Sequence, residues 1–117
     1  MSRRAYGALE TDVLGVLWDG DGGMTPGEVR DALGGDLAYT TVMTVLTRLF
    51  EKGLVTRAQQ GRAFSYAPTQ TRSELAARRM SEILAAAGDS AGTLMGFVGG
   101  LSKRDAELLR RIVGGQP

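Results

Sequence analysis

Residues 37–68 read LAYTTVMTVLTRLFEKGLVTRAQQGRAFSYAP, and within this stretch the hydrophobic period changes once. Up to Lys52, the apolar residues Val42, Val45, Leu46 and Leu49 recur at helical spacing, with Met43 and Phe50 at the edges of the stripe. That spacing predicts a helix over Ala38–Lys52, closed by Gly53 as a C-terminal cap. From Leu54 the pattern alternates. It predicts a strand over 54–59, a turn at Gln60-Gly61-Arg62, and a return strand over 63–67 that stops at Pro68. A two-stranded hairpin is marginal by itself, so it must pack on the helices before it. Phe64 and Tyr66 share one face of the return strand and are read as packing groups.

The other face of the Ala38–Lys52 helix carries Tyr39, Thr40, Thr41, Thr44, Thr47, Arg48 and Glu51. Four threonines on one helix are not explained by helix stability, because β-branched residues are mediocre helix formers. Upstream, Leu9, Val13, Leu14, Val16, Leu17 and Trp18 predict a first helix with Trp18 as a core anchor, ended by Asp19-Gly20-Asp21-Gly22-Gly23. Thr25-Pro26-Gly27-Glu28 is a capping box, opening a short helix whose Val29, Ala32 and Leu33 are expected to face inward before Gly34-Gly35 stops it.

Three helices and then a hairpin is the layout of a winged helix-turn-helix. In that design the helix before the hairpin enters the major groove, and the hairpin, or wing, lies against the backbone. Thr40, Thr44 and Arg48 are spaced by four and line one helix face. Threonine offers a hydroxyl to phosphates or base edges and a methyl to thymine; arginine pairs bidentately with guanine. The expected DNA-binding residues are therefore Tyr39, Thr40, Thr41, Thr44 and Arg48 on the helix, with Arg57 and Arg62 of the wing on phosphates. Charge distribution agrees. Residues 1–37 carry three basic and seven acidic side chains, a net of −4, while residues 38–67 carry Arg48, Lys52, Arg57 and Arg62 against Glu51, a net of +3.

Beyond Pro68 the chain reads as three short amphipathic helices. Thr71-Arg72-Ser73-Glu74 is a second capping box; its helix runs to about Ala87 with Leu75, Met80, Ile83 and Leu84, and Gly88 ends it. Asp89 or Ser90 starts another, holding Leu94, Met95, Phe97 and Val98. Ser102-Lys103-Arg104-Asp105 opens the last, with Leu108, Leu109, Ile112 and Val113. So little chain cannot enclose a core of its own, which makes a second copy the natural cover for these faces. The expected class is mainly α with a small β-hairpin: a winged-helix domain over 1–69 and a helical dimerisation domain over 70–117. Leu75, Met80, Ile83, Leu84, Leu94, Phe97, Leu108, Leu109 and Ile112 are the expected dimer contacts.

Composition narrows the chemistry. There is no cysteine and no histidine, which removes disulfides, thiol nucleophiles, imidazole catalysis and the usual zinc sites. No glycine-rich phosphate loop is followed by lysine, and no paired carboxylates form a pocket pattern. An enzyme, a metal and a cofactor are not expected. No apolar run is long enough to span a bilayer, and Met1-Ser2-Arg3-Arg4 has no hydrophobic signal region behind it, so a cytoplasmic protein is expected. The competing reading is a winged-helix module that binds another protein and no DNA.

Leu37 to Leu49, Glu51-Lys52-Gly53-Leu54-Val55 and Gly61 to Pro68, in that order and spacing, resemble the BlaI/MecI/CopY family of penicillinase repressors. The similarity covers most of residues 9–113 and is specific over 37–68. It implies a bacterial repressor that binds a palindromic, double-stranded operator as a homodimer, with base and phosphate contacts from Thr40, Thr41, Thr44 and Arg48. Some members carry lysine where this chain has Thr40, which implies a different operator preference. The copper-sensing branch uses a cysteine-rich metal site, absent here. In the β-lactam-responsive branch a membrane protease cuts an Asn-Phe bond; the matching position is Gly96-Phe97, with the phenylalanine present and the asparagine missing. A regulatory protease, a small ligand and an antagonist protein all stay open as the signal.

Overall fold

The computed structural model describes residues 6–115; the Met1-Ser2-Arg3-Arg4 start lies outside them. Six helices and one hairpin follow in order: α1 (Tyr6–Asp19), α2 (Pro26–Ala32), α3 (Tyr39–Glu51), β1 (Val55–Gln60), β2 (Ala63–Pro68), α4 (Arg72–Ala87), α5 (Ser90–Gly99) and α6 (Lys103–Val113). The chain divides into two compact units, Met1–Leu75 and Ala76–Pro117.

In the first unit, α3 packs on both α1 and α2, and the hairpin contacts α1 and α3. Its core joins Leu9, Val13, Leu14 and Leu17 of α1, Val29 of α2, the four-residue α3 stripe, Val55 and Tyr66 of the hairpin, and Leu75. Val42, Val45, Leu46 and Leu49 are all fully buried, as their spacing predicts. Each such side chain contributes about 1.5–3 kcal/mol relative to exposure, so the stripe alone anchors the helix. Ala32 departs from expectation: it is exposed. The helix ends there, with Leu33 as C-cap, and only Val29 and Pro26 of α2 are buried.

Local signals set the boundaries. Thr25 and Glu28 form the reciprocal capping box at α2: the Thr25 N–H donates to Glu28 Oε1 at 2.8 Å, and the Glu28 N–H to Thr25 Oγ1 at 3.3 Å. Thr71 and Glu74 do the same at α4, at 2.8 and 3.1 Å. Asp89 and Ser102 cap α5 and α6 through the N–H groups of Gly92 and Asp105. At the end of α3, Gly53 adopts φ 76°, its N–H donates to the Phe50 carbonyl, and the Leu54 N–H donates to the Leu49 carbonyl. This is the Schellman arrangement, and it needs a residue without a Cβ at the left-handed position. It turns the chain directly from α3 into β1.

The hairpin pairs Val55 with Pro68 through Gln60 with Ala63, leaving Gly61-Arg62 as the two-residue turn. Gly61, at φ 64°, holds the first central position, where a type II′ turn requires glycine. A further pairing lies outside the sequence pattern. Met24, at the end of the glycine-rich loop, exchanges two backbone hydrogen bonds with Tyr66, at 2.9 and 2.8 Å. The loop therefore ties β2 to the α1–α2 connection. Trp18 is half-buried against the core, and its indole N–H donates to the Gln70 carbonyl at 2.9 Å.

The second unit is different in kind. No residue of α5 or α6 is buried. Leu75, expected at the dimer contact, is 4% exposed and belongs to the core of the first unit. Met80, Ile83, Leu94, Phe97, Leu108 and Ile112 are exposed, and Leu84 and Leu109 are half-buried.

Candidate nucleic-acid interface

The outward face of α3 is built by subtraction. With Val42, Val45, Leu46 and Leu49 facing the core, residues 40, 44, 47 and 48 must face away, and all four are exposed. Tyr39 is exposed and Thr41 is half-buried at the edge of the face. Thr40, Thr44 and Arg48, four apart, therefore share one exposed strip of α3 with Thr41 at its edge, whereas Tyr39, nine residues before Arg48, lies half a turn away around the helix.

Two details of this face are chemical. Thr44 Oγ1 donates to the Thr40 carbonyl at 2.9 Å, the bond to the residue four back that helical threonines can make. Its hydroxyl proton is thus engaged, while the oxygen lone pairs and the methyl group stay available as an acceptor and an apolar contact. Meanwhile α3 starts at Ala38 without a side-chain cap, whereas α2, α4, α5 and α6 have one. The Thr41 N–H donates to the Ala38 carbonyl at 3.0 Å, and no side chain caps the N–H groups of Tyr39 and Thr40 before it.

The cations of residues 38–67 are not equivalent. Lys52 Nζ donates to both carboxylate oxygens of Glu10, at 2.8 and 3.0 Å, and Glu10 is only 8% exposed. This pair joins α1 to the end of α3, so the lysine counted in the local positive excess is engaged within the fold. Arg57 is held differently. Its guanidinium carbon lies 4.1 Å from the Phe50 ring centre and 4.5 Å from that of Phe64. Arg62 sits exposed in the turn. Sequence reading missed Glu10 as a buried partner and Phe50 as a wing contact. Neither stands out from helical periodicity, because each lies at or beside a stripe edge.

Gly96-Phe97 lies inside α5, a continuous helix over Ser90–Gly99, with Phe97 47% exposed. Among the described residues no cluster of carboxylates could hold a metal ion, and no helix is long and apolar enough to cross a membrane.

Comparison with known proteins agrees with this architecture. The penicillinase repressor family model matches residues 6–114. The transcriptional regulator BlaI of Mycobacterium tuberculosis, from two strains, is 44% identical over 110 residues, covering 90% of this chain and 80% of the relative. Among solved structures, a ZitR mutant from Lactococcus lactis shares the fold at TM-score 0.51 and 13% identity, over 98% of this chain and 75% of that one. The PcaV transcriptional regulator from Streptomyces coelicolor, in complex with its natural ligand, does so at 0.50 and 21%, over 92% and 74%. Family and relatives are regulators of transcription, not enzymes. With its three-helix core, hairpin and α3 face in that setting, the chain belongs to the penicillinase repressor family of winged-helix transcriptional regulators.

Proposed function

We propose that this repressor binds a palindromic operator in double-stranded DNA as a homodimer, reading bases with the outward face of α3. The observation that carries the reading is the division of that helix. Four fully buried apolar residues fix its axis, and Thr40, Thr44 and Arg48 form a short, exposed face opposite. A helix of this size fits the major groove, and short side chains allow close approach. Arg48 pairs with guanine, Thr44 meets a thymine methyl or a base donor, and Tyr39, Thr40 and Thr41 lie at the uncapped start of α3 near phosphates. Arg62 at the wing tip takes a backbone phosphate. A two-fold dimer presents two such helices to two half-sites, with residues beyond Leu75 supplying the contact between copies. Acting on DNA, it works in the bacterial cytoplasm.

The test is footprinting of the full chain on DNA flanking its own coding region, followed by titration of the protected duplex. The expected result is a two-fold-symmetric footprint and affinity that falls steeply with salt. Arg48→Ala should cost roughly 1–3 kcal/mol per half-site and relax sequence preference. Equal affinity of the wild-type protein for protected and scrambled duplexes would overturn the reading. Binding to no DNA at low salt would favour a protein partner instead.

A further inference from the structure

We infer that Arg57 is a positioning residue, whose guanidinium, stacked between Phe50 and Phe64, fixes the wing against the last turn of α3 and so places Arg62. The last step rests on the DNA-binding reading above; the stack itself does not.

The sequence order creates the stack. Arg57 lies two residues beyond the buried Val55 and so on the same face of β1. The register sets Tyr66 directly opposite Arg57 and Phe64 at the diagonal position. Phe50 follows the fully buried Leu49, at the end of α3, and is half-turned to solvent at 37% exposure. Arg57 fills the space between the two rings. Phe64 in turn meets Tyr66 edge to face, with centroids 6.5 Å apart at 70°. Tyr66 is fully buried, and its backbone is paired with Met24. A continuous row thus runs from the recognition helix through Phe50, Arg57 and Phe64 to a fixed point in the core.

The wing needs this row because little else restrains its outer half. Only Val55 in β1 and Tyr66 in β2 are buried, and both lie toward the base. A bare hairpin of this length is marginally stable and free to swing. A planar guanidinium can lie flat on two rings at once. An ammonium group, compact and strongly hydrated on a flexible stem, cannot. Arg57 would otherwise be read as one more phosphate contact, and the two roles predict different variants to fail.

The experiment measures affinity for the footprinted duplex in full-length Arg57→Lys, Phe64→Leu, Phe64→Tyr, Arg62→Gln and the Arg57→Lys/Arg62→Gln double variant. Hydrogen exchange of the wing amides is followed in each free protein. If Arg57 positions the wing, Arg57→Lys and Phe64→Leu each weaken binding about tenfold although neither changes net charge. Phe64→Tyr, which keeps the ring, binds as wild type. In the Arg62→Gln background, Arg57→Lys adds little, because it acts through Arg62. Wing amides exchange about tenfold faster in Arg57→Lys and Phe64→Leu, while α3 amides do not change, which separates wing release from misfolding. Wild-type affinity in Arg57→Lys, or losses that multiply in the double variant, would overturn the inference while leaving DNA binding standing. Should the wild-type protein show no operator preference, the DNA-binding reading falls, and unchanged wing exchange in Arg57→Lys then overturns the stack independently.

Discussion

Residues Met1–Leu75 enclose a core that runs from Leu9 to Leu75, with every member at 4% exposure or less. In Ala76–Pro117 no described residue is buried, and Ile83, Met95, Ile112 and Val113 are between 61% and 78% exposed. Both units draw on the same kinds of apolar residue. The difference is closure. In the first, helices pack with a hairpin and each stripe finds another within the chain; in the second, α4 and α5 leave an open groove of about 530 Å³ lined by Ala77, Met80, Ile83, Leu84, Leu94 and Phe97. Isolated helices of this length are marginal, and the second region, unlike the first, gains little from burial within its own chain.

Three substitutions press on that contrast. The largest effect is expected from Leu46→Ala, which empties a fully buried site and should cost about 2–5 kcal/mol. The loss should appear in denaturant unfolding of the first unit at any protein concentration; a loss that vanishes on concentrating the sample would blur the distinction. Next comes Ile83→Asp. Ile83 is 67% exposed, so the single chain tolerates the change, but a charge in the proposed subunit contact should raise the dissociation constant of the proposed dimer by about a hundredfold or more. Sedimentation equilibrium reads it, and an unchanged dimer would place the contact elsewhere. Smallest is Thr71→Ala. Removing one half of the box at the start of α4 should cost about 1 kcal/mol. Because α4 begins beside Trp18 and Leu75, that loss should register with the unfolding of the first unit, and its appearance only in the second would redraw the boundary.

The sequence made the first unit legible wherever a signal was local and periodic. The α3 stripe, both Thr/Glu boxes and Gly53 each announce themselves within a few residues, as does the turn at Gly61-Arg62, although Gln60, read as part of it, pairs with Ala63 in the hairpin. What escaped was non-local. Met24 pairs with a residue 42 positions away, and a single strand residue has no period to detect. Leu75 sits on a helical stripe, and a stripe says that a face is buried without saying against what. Ala32 closes α2 on its exposed side, while Val29 and, in part, Leu33 meet the core, a distinction that the spacing of the three does not make. At the α3 face, sequence reading identified the exposed residues but weighed their charges as equal. It could not see that Glu10 holds Lys52 or that two phenylalanine rings hold Arg57.

The Glu10–Lys52 pair has a consequence for how such a protein would find its target. Attraction to arbitrary DNA grows with the number of cations set against phosphates, and a repressor rich in them lingers on every stretch it meets. Here one lysine is neutralised from behind, and the position at Thr40 carries no charge. In the proposed DNA-binding role, the cost is a weaker pull toward the double helix at long range. The gain is a shorter stay on each wrong sequence, so that more of the protein is left in circulation to test the next.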